Sequence, residues 1–531
     1  MSPRPLSPRP LTPFEGMDIR SLVDEQAARR GDHPFLIWEP FARDDEAGEG
    51  ETWSYARFAD TLRRFAAGLV ARGVKPGERV LVHLDNCPHS VIAWLGCAYA
   101  GAVAVTTNAR SARDELAYFA SHSGAVGAIT QPRFADLLAA AAPDLPWRAV
   151  TADDNGEPPA PFAAAFEPVA AIDADPATLP DRPHDPWAPF AIQYTSGTTA
   201  RPKAVLWTHA NALWGGRMCA QHEDLGPDDV HLTHLPMFHT NAQAYSVLAA
   251  LWAGATVVLQ PRFSASRFWP VSLKHGATWS SMVPFCAKAL MSQPVPERHG
   301  YRFWGNGICE PGWDRHFRVK TIGWWGMTET ITHGVVGSAH RRDAPMSMGR
   351  PAPGYEIHVL DAAGAPVAPG GVGDLYVRGL PGVSLFLEYA GDPAATAAAY
   401  TADGLFITGD RVRVGEDGYL YFADRVKDML KVGGENVAAS EIERVIAAVP
   451  GVSEVAVVAM RHPMLDEAPA AFVIPLPGHA EDLAERIAAA CDDALAGFKR
   501  PHLIRLVDAL PRATLEKVAK AELRAMLAAE G

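Results

Sequence analysis

The sequence predicts an α/β protein: a large N-terminal domain of layered α/β sheets with a small β-barrel section, then a small α+β C-terminal domain on a hinge. Three observations predict it. Apolar β-rich runs alternate with Ala/Leu/Arg helical stretches through the first half, short glycine-punctuated strands take over after Pro351, and a compact strand-and-helix module follows Arg425. Strands that alternate with helices bury both faces of a parallel sheet.

The N-terminal "MSPRPLSPRPL" repeats SPRPL, has no apolar stretch of the kind a signal peptide needs, and is too rich in proline for a helix, so residues 1–15 read as a disordered tail. Residues 16–424 form the large domain. "YARFADTLRRFAAGLVARG" reads as a helix, and "RVLVHL", "AVAVTT", "GAVGAIT" and "ATVVLQ" read as strands. The uncharged run from Asn86 to Ala109 contains Pro88, His89 and Ser90, which suits a buried helix followed by a strand better than a membrane span. Between Pro351 and Asp424, "YEIHVLD", "GDLYVRG" and "DGYLYFAD" read as short antiparallel or barrel-forming strands.

Residues 425–531 form the C-terminal domain. Ser440 with Glu443 three residues on reads as a capping box, followed by the strands "VSEVAVVAM" and "AAFVIPL" and a helix around Glu481 to Phe498. The joining segment "ADRVKDMLKVGGENVAAS" contains Gly433-Gly434, a pair that tolerates large backbone rotation, which places the hinge there.

Composition narrows the function. With 531 residues, 48% of them hydrophobic, the chain can bury a large core, and its net charge of −13 argues against nucleic acid or an anionic membrane as partner. Six cysteines without a CxxC pair support neither a disulfide framework nor a zinc site and point to a reducing cytoplasm. The Ala-rich helices fit internal packing or a homodimer interface equally well.

The stretch "YTSGTTARPK" sets Thr195, Ser196, Gly197, Thr198 and Thr199 ahead of Lys203. Small hydroxylated residues around a glycine offer backbone N–H groups and hydroxyls at close range to phosphate oxygens, and Lys203 adds a positive charge. It is not the nucleotide-triphosphatase P-loop, because GxxxxGK[ST] is absent. Alone it would read as a solvent turn. What decides otherwise is its company, in order along the chain: "WWGMTET", "FITGD", "ADRVKDMLKVGGEN" and "PRATLEKVAK".

With these motifs the chain resembles the adenylate-forming superfamily of acyl- and aryl-CoA synthetases, carrier-protein adenylation domains and beetle luciferases, from about Val23 to Met526. The resemblance implies that Thr195 to Thr199 and Lys203 clasp the ATP phosphates, and that Thr328 and Glu329 hold a phosphate oxygen and Mg²⁺, with Glu329 the metal ligand. It implies that Asp410 and Arg425 bind the ribose, that Trp325 stacks on adenine, and that Gly305, Asn306 and Gly307 line adenine and the acyl pocket. His239 takes the place of the residue gating the carboxylate site and Lys517 that of the catalytic lysine. Lys427 takes the hinge position, while Lys431, Gly433 and Gly434 match the loop of the thioester step. Ala200 and Glu516 stand where the family usually has glycine, which alters loop mobility and local charge.

The implied activity is ATP-dependent acid–CoA ligation: a small carboxylic acid is adenylated with release of pyrophosphate, then transferred to coenzyme A. The alternative is a stand-alone adenylation enzyme that serves a carrier-protein phosphopantetheine or another acceptor. Trp279, His239, Trp324 and Trp325 suggest a pocket for an aryl or compact acyl group.

Overall fold

The computed structural model describes residues 10–41, 50–195, 201–425, 429–511 and 518–530. Two large sheets form the N-terminal lobe: one of eight strands, and one of nine whose order runs from Arg350–Pro351 at one edge to Glu51–Ser54 at the other. In the eight-stranded sheet Arg79–His83 lies parallel between Val103–Thr106 and Ala125–Thr130. The helix Pro88–Ala100 precedes Val103–Thr106, as the uncharged run predicted, and is buried on nearly every face.

The helix Tyr55–Ala71 buries one stripe, Tyr55, Phe58, Leu62, Phe65 and Leu69, at helical spacing. Phe14, inside the stretch expected to be tail, is fully buried and meets the Trp252 ring edge-on at 6.2 Å. One aromatic side chain anchors a segment whose prolines suggested disorder.

After Pro351 the short strands Glu356–Leu360, Val372–Arg378, Phe406–Val414 and Leu420–Arg425 pair antiparallel in chain order into a four-stranded sheet. A five-stranded sheet organises the C-terminal lobe, with Met429–Val432, Glu435–Ala438, Val452–His462 and Asp466–Pro475 antiparallel and Leu503–Leu506 added in parallel. Its core is a separate apolar cluster that includes Val432, Ile442, Ile446 and Ile487.

The capping box expected at Ser440 does not form. The helix runs Ala439–Ala447 with Ala438 at its N-cap, and Glu443 turns away to accept from the Val457 backbone N–H (2.8 Å) and to pair with Lys520 Nζ (2.6 Å). Tertiary partners outcompete the local one.

Candidate active site

The site lies beyond the carboxyl ends of parallel strands, where open α/β sheets present ligand crevices. Phe303–Asn306 and Lys320–Trp325 run parallel, with Asn306 opposite Gly323, so Asn306 and Trp325 emerge at the same end. The hairpin Pro189–Thr195 and Lys203–Thr208 closes on the pair Thr195 and Lys203, which fixes both ends of the hydroxyl-rich loop. Ser196, Gly197, Thr198 and Thr199 lie outside the described residues, as do Lys427 and Lys517, and so does the side chain of Arg425.

Lys203, Tyr389 and Glu329 come together. Lys203 Nζ sits 4.5 Å from the centre of the Tyr389 ring, and Tyr389 Oη donates to Glu329 Oε1 (2.8 Å). Burial pushes the Glu329 carboxyl above its usual range, opposed by the Tyr389 hydroxyl and the Lys203 charge. Thr328 opens the single 3₁₀ turn Thr328–Thr330, its carbonyl held by Trp207 Nε1 (2.9 Å). Thr240 Oγ1 lies 3.2 Å from Thr328 Oγ1 and 3.0 Å from Gln193 Oε1. Ile331, the next residue after the turn, adopts φ +64°, a strained conformation for a β-branched side chain.

Asp410 is buried on Phe406–Val414, accepts a hydrogen bond from Trp325 Nε1 (2.8 Å), and stands opposite Arg425 in the ladder. Trp325 and Asp410, 85 residues apart in the sequence, form one unit in the fold. Gly305 is required sterically, since a Cβ there would fall 1.4 Å from the Trp324 ring, while Gly307 faces open space. Asn306 Oδ1 and Gln193 Nε2 are buried without a hydrogen-bond partner, which costs the fold unless something meets them. Trp279, expected near the acyl pocket, is fully buried and packs edge-on against His231 (4.5 Å).

The small lobe closes the crevice. Its hairpin turns at Gly433 (φ +58°) and Gly434 (φ +89°), conformations glycine adopts freely. A Cβ on Gly434 would touch Val283 of the large lobe at 3.8 Å. Next in sequence, Glu435 Oε2 meets His239 Nε2 at 2.7 Å, with Arg110 Nη1 4.0 Å from its other oxygen. Burial alone would raise the Glu435 carboxyl, but the His239 charge and hydrogen bond, with Arg110 and Lys499, hold it below its usual range. Lys431 N donates to Glu467 Oε2 (2.6 Å).

A second contact across the lobes centres on Lys499, which is buried and paired with Glu441 of its own lobe (2.9 Å) and with Glu115 of the large lobe. Burial pushes Glu441 up to about 7 despite Lys499, with Glu115 adding to the rise. Sequence reading missed Glu435, Glu115, Tyr389 and Lys499. Only Glu435 carried a signal, its place beside Gly433-Gly434.

The family profile described as AMP-binding enzyme matches residues 23–389, and the one described as AMP-binding enzyme C-terminal domain matches residues 441–517. A crotonobetaine/carnitine–CoA ligase of Citrobacter koseri is 34% identical over 534 residues, covering 96% of this chain and 99% of that protein. Among solved structures, ATP-bound MatB from Rhodopseudomonas palustris superposes with a TM-score of 0.67 at 28% identity, over 96% of this chain and 99% of that one. An o-succinylbenzoate CoA synthetase from Bacillus subtilis, bound to a product analogue, shares the fold with a TM-score of 0.81 at 24% identity, over 94% and 97% of the two chains.

Proposed function

The chain belongs to the AMP-binding enzyme family, and from that premise we propose that it is an ATP-dependent acid–CoA ligase with a large domain to residue 424 and a mobile small domain from residue 425. The observation that carries this reading is the meeting of Lys203, Tyr389 and Glu329 beside Thr328, with Thr195 and Lys203 paired at the two ends of the hydroxyl-rich stretch.

A carboxylate is ionised at neutral pH and needs no general base; what opposes its attack on the α-phosphorus is repulsion between anions. In the proposed first step Thr195 to Thr199 donate to the phosphates, Lys203 neutralises charge, and Lys517 approaches from the small lobe as pyrophosphate leaves. Asp410, oriented by the Trp325 indole, accepts from the ribose hydroxyls with Arg425 beside it, and the Trp325 ring stacks on adenine. Asn306, between Gly305 and Gly307, offers its unpartnered carbonyl oxygen to the base.

The Glu329 carboxylate and Thr328 hydroxyl form a hard oxygen donor set that fits Mg²⁺. Bound there, the metal would supply further neutralisation of phosphate charge.

For the second step we assign the closed arrangement described above, with rotation at Lys427. Withdrawing Lys517 lets the Lys431, Gly433 and Gly434 turn and Glu435 reach the His239 side of the crevice, where coenzyme A enters. The Trp324 ring occupies the place a Cβ on Gly305 would take, and this bulk beside Gly305 supports an aryl or compact acid over a long chain.

All six cysteines are free and buried, which supports the cytoplasmic reading, and no described helix is long and apolar enough to cross a membrane.

The test is a panel of compact and aryl carboxylic acids with ATP, with and without coenzyme A, followed by mass detection of AMP, pyrophosphate and thioester. An acid that releases pyrophosphate and yields its CoA thioester supports the reading. Adenylate without thioester turns it toward a carrier-protein or other acceptor, and no acid-dependent pyrophosphate refutes it.

A further inference from the structure

Behind Trp324, away from the crevice, the large lobe buries a polar cluster that the proposed reaction does not use. Cys219 and Glu223 lie at the C-terminal end of the helix His209–His222, and His333 follows the strained turn at Ile331. Sγ of Cys219, a carboxylate oxygen of Glu223 and a ring nitrogen of His333 lie within 4.8 Å of one another, and all three residues are fully buried. Both Glu223 oxygens and both His333 nitrogens lack a hydrogen-bond partner, the nearest approach being His333 Nε2 to Glu223 Oε1 at 3.8 Å. Four orphaned polar atoms in one dry place would cost the fold several kcal/mol, at about 1–3 kcal/mol each.

We propose that Cys219, Glu223 and His333 bind one divalent cation of the zinc class, separately from the metal of the nucleotide site. The donors are the thiolate, imidazole and carboxylate that such a borderline-soft ion takes. A dication with one thiolate, one carboxylate and a neutral imidazole is electrically neutral, the condition a fully buried site needs. Binding displaces two protons to solvent, one from the thiol and one from the carboxyl. Burial disfavours the charged form of each group when no cation is there, raising the Cys219 thiol and the Glu223 carboxyl and lowering the His333 imidazole.

The surroundings suit the role. Thr332 Oγ1 lies 2.6 Å from Cys219 Sγ and becomes a donor to the thiolate. The Trp324 and His333 rings stack at 4.5 Å, which fixes the imidazole, and the Trp279 indole faces Glu223 without closing a hydrogen bond. His222 has an unpartnered Nδ1, and its ring centre lies 5.8 Å from that of His333. His222 also lines a surface cavity of about 550 Å³, shared with Asp224 and Asp343, through which an ion enters. The bound ion ties the end of a core helix to the segment that carries Thr328 and Glu329.

The experiment uses the full chain. Protein expressed with added Zn²⁺ is assayed for metal by mass spectrometry, then exchanged with Co²⁺ and its near-ultraviolet spectrum recorded. Expected are close to one zinc per chain and a sulfur-to-cobalt charge-transfer band that Cys219→Ser removes. His333→Gln should weaken Co²⁺ binding by more than the roughly 10- to 100-fold that loss of an outer-shell partner costs. Wild-type protein with no stoichiometric zinc and no such band overturns the proposal, whether or not the variants fold. So does a band that survives Cys219→Ser.

Discussion

The surface proposed to hold the nucleotide and the seam between the lobes are both built from buried charge, but in opposite ways. On the former, each carboxylate is held by a donor of its own lobe: Trp325 serves Asp410 and Tyr389 serves Glu329. At the seam, polar and charged groups from different lobes meet, His239 and Arg110 with Glu435, and Glu115 with Lys499. The first arrangement joins groups of the large lobe and is preorganised. The second can be undone, because charged groups regain hydration when the lobes part, whereas a large apolar seam would resist separation. Under the proposed two-step scheme, the contrast separates the machinery that stays still from the contacts that break.

The largest expected effect breaks the seam. Lys499→Ala leaves the Glu115 and Glu441 carboxylates buried without their cation, which should disfavour the closed arrangement by about 3–5 kcal/mol. Small-angle scattering should show a more open particle, and thioester formation from a supplied acyl adenylate should fall steeply while pyrophosphate release holds. The seam should also respond to pH. Burial lifts Glu441 to about 7 in the closed arrangement, and Glu115 across the seam adds to the rise, so the closed form favours the protonated carboxyl. That contribution is complete below the ordinary value and lost as pH rises through about 7, so scattering should report opening on the alkaline side.

A smaller effect is expected from Glu435→Gln, which keeps the shape but removes the charge facing His239 and Arg110. A hydrogen bond to a charged group contributes about 1.5–3 kcal/mol, and the loss should fall on the thioester step. Equal loss in both half-reactions would erase the distinction between the two regions. Smallest is Tyr389→Phe, which deletes one hydrogen bond to the Glu329 carboxylate from a neutral donor, about 1.5 kcal/mol at the low end of the same range. The hydroxyl stabilises the ionised carboxylate, so its removal should move the acidic limb of the adenylation pH profile upward and leave the seam untouched.

Most of the layout was legible from local pattern. The stripe of Tyr55, Phe58, Leu62, Phe65 and Leu69 and the β-rich runs became a helix and strands because period and burial agree. The partners of the site were not legible in this way. Tyr389 reaches Glu329 across 60 residues and His239 reaches Glu435 across 196, and nothing at either end of such a pair announces the other. Glu443 shows the reverse case: a correct local signature lost to Val457 and Lys520, which only the folded lobe brings near. Phe14 escaped because proline content speaks for the backbone and says nothing of an anchoring ring.

The central claim is that one fixed surface makes the acyl adenylate and a moving lobe serves the two steps by turns. Measuring both half-reactions of Lys517→Ala tests it most directly. The account predicts that acid-dependent pyrophosphate release falls by roughly 10²- to 10³-fold or more, while a synthetic acyl adenylate is still passed to coenzyme A at near wild-type rate. Loss of both steps together, or of neither, would contradict it.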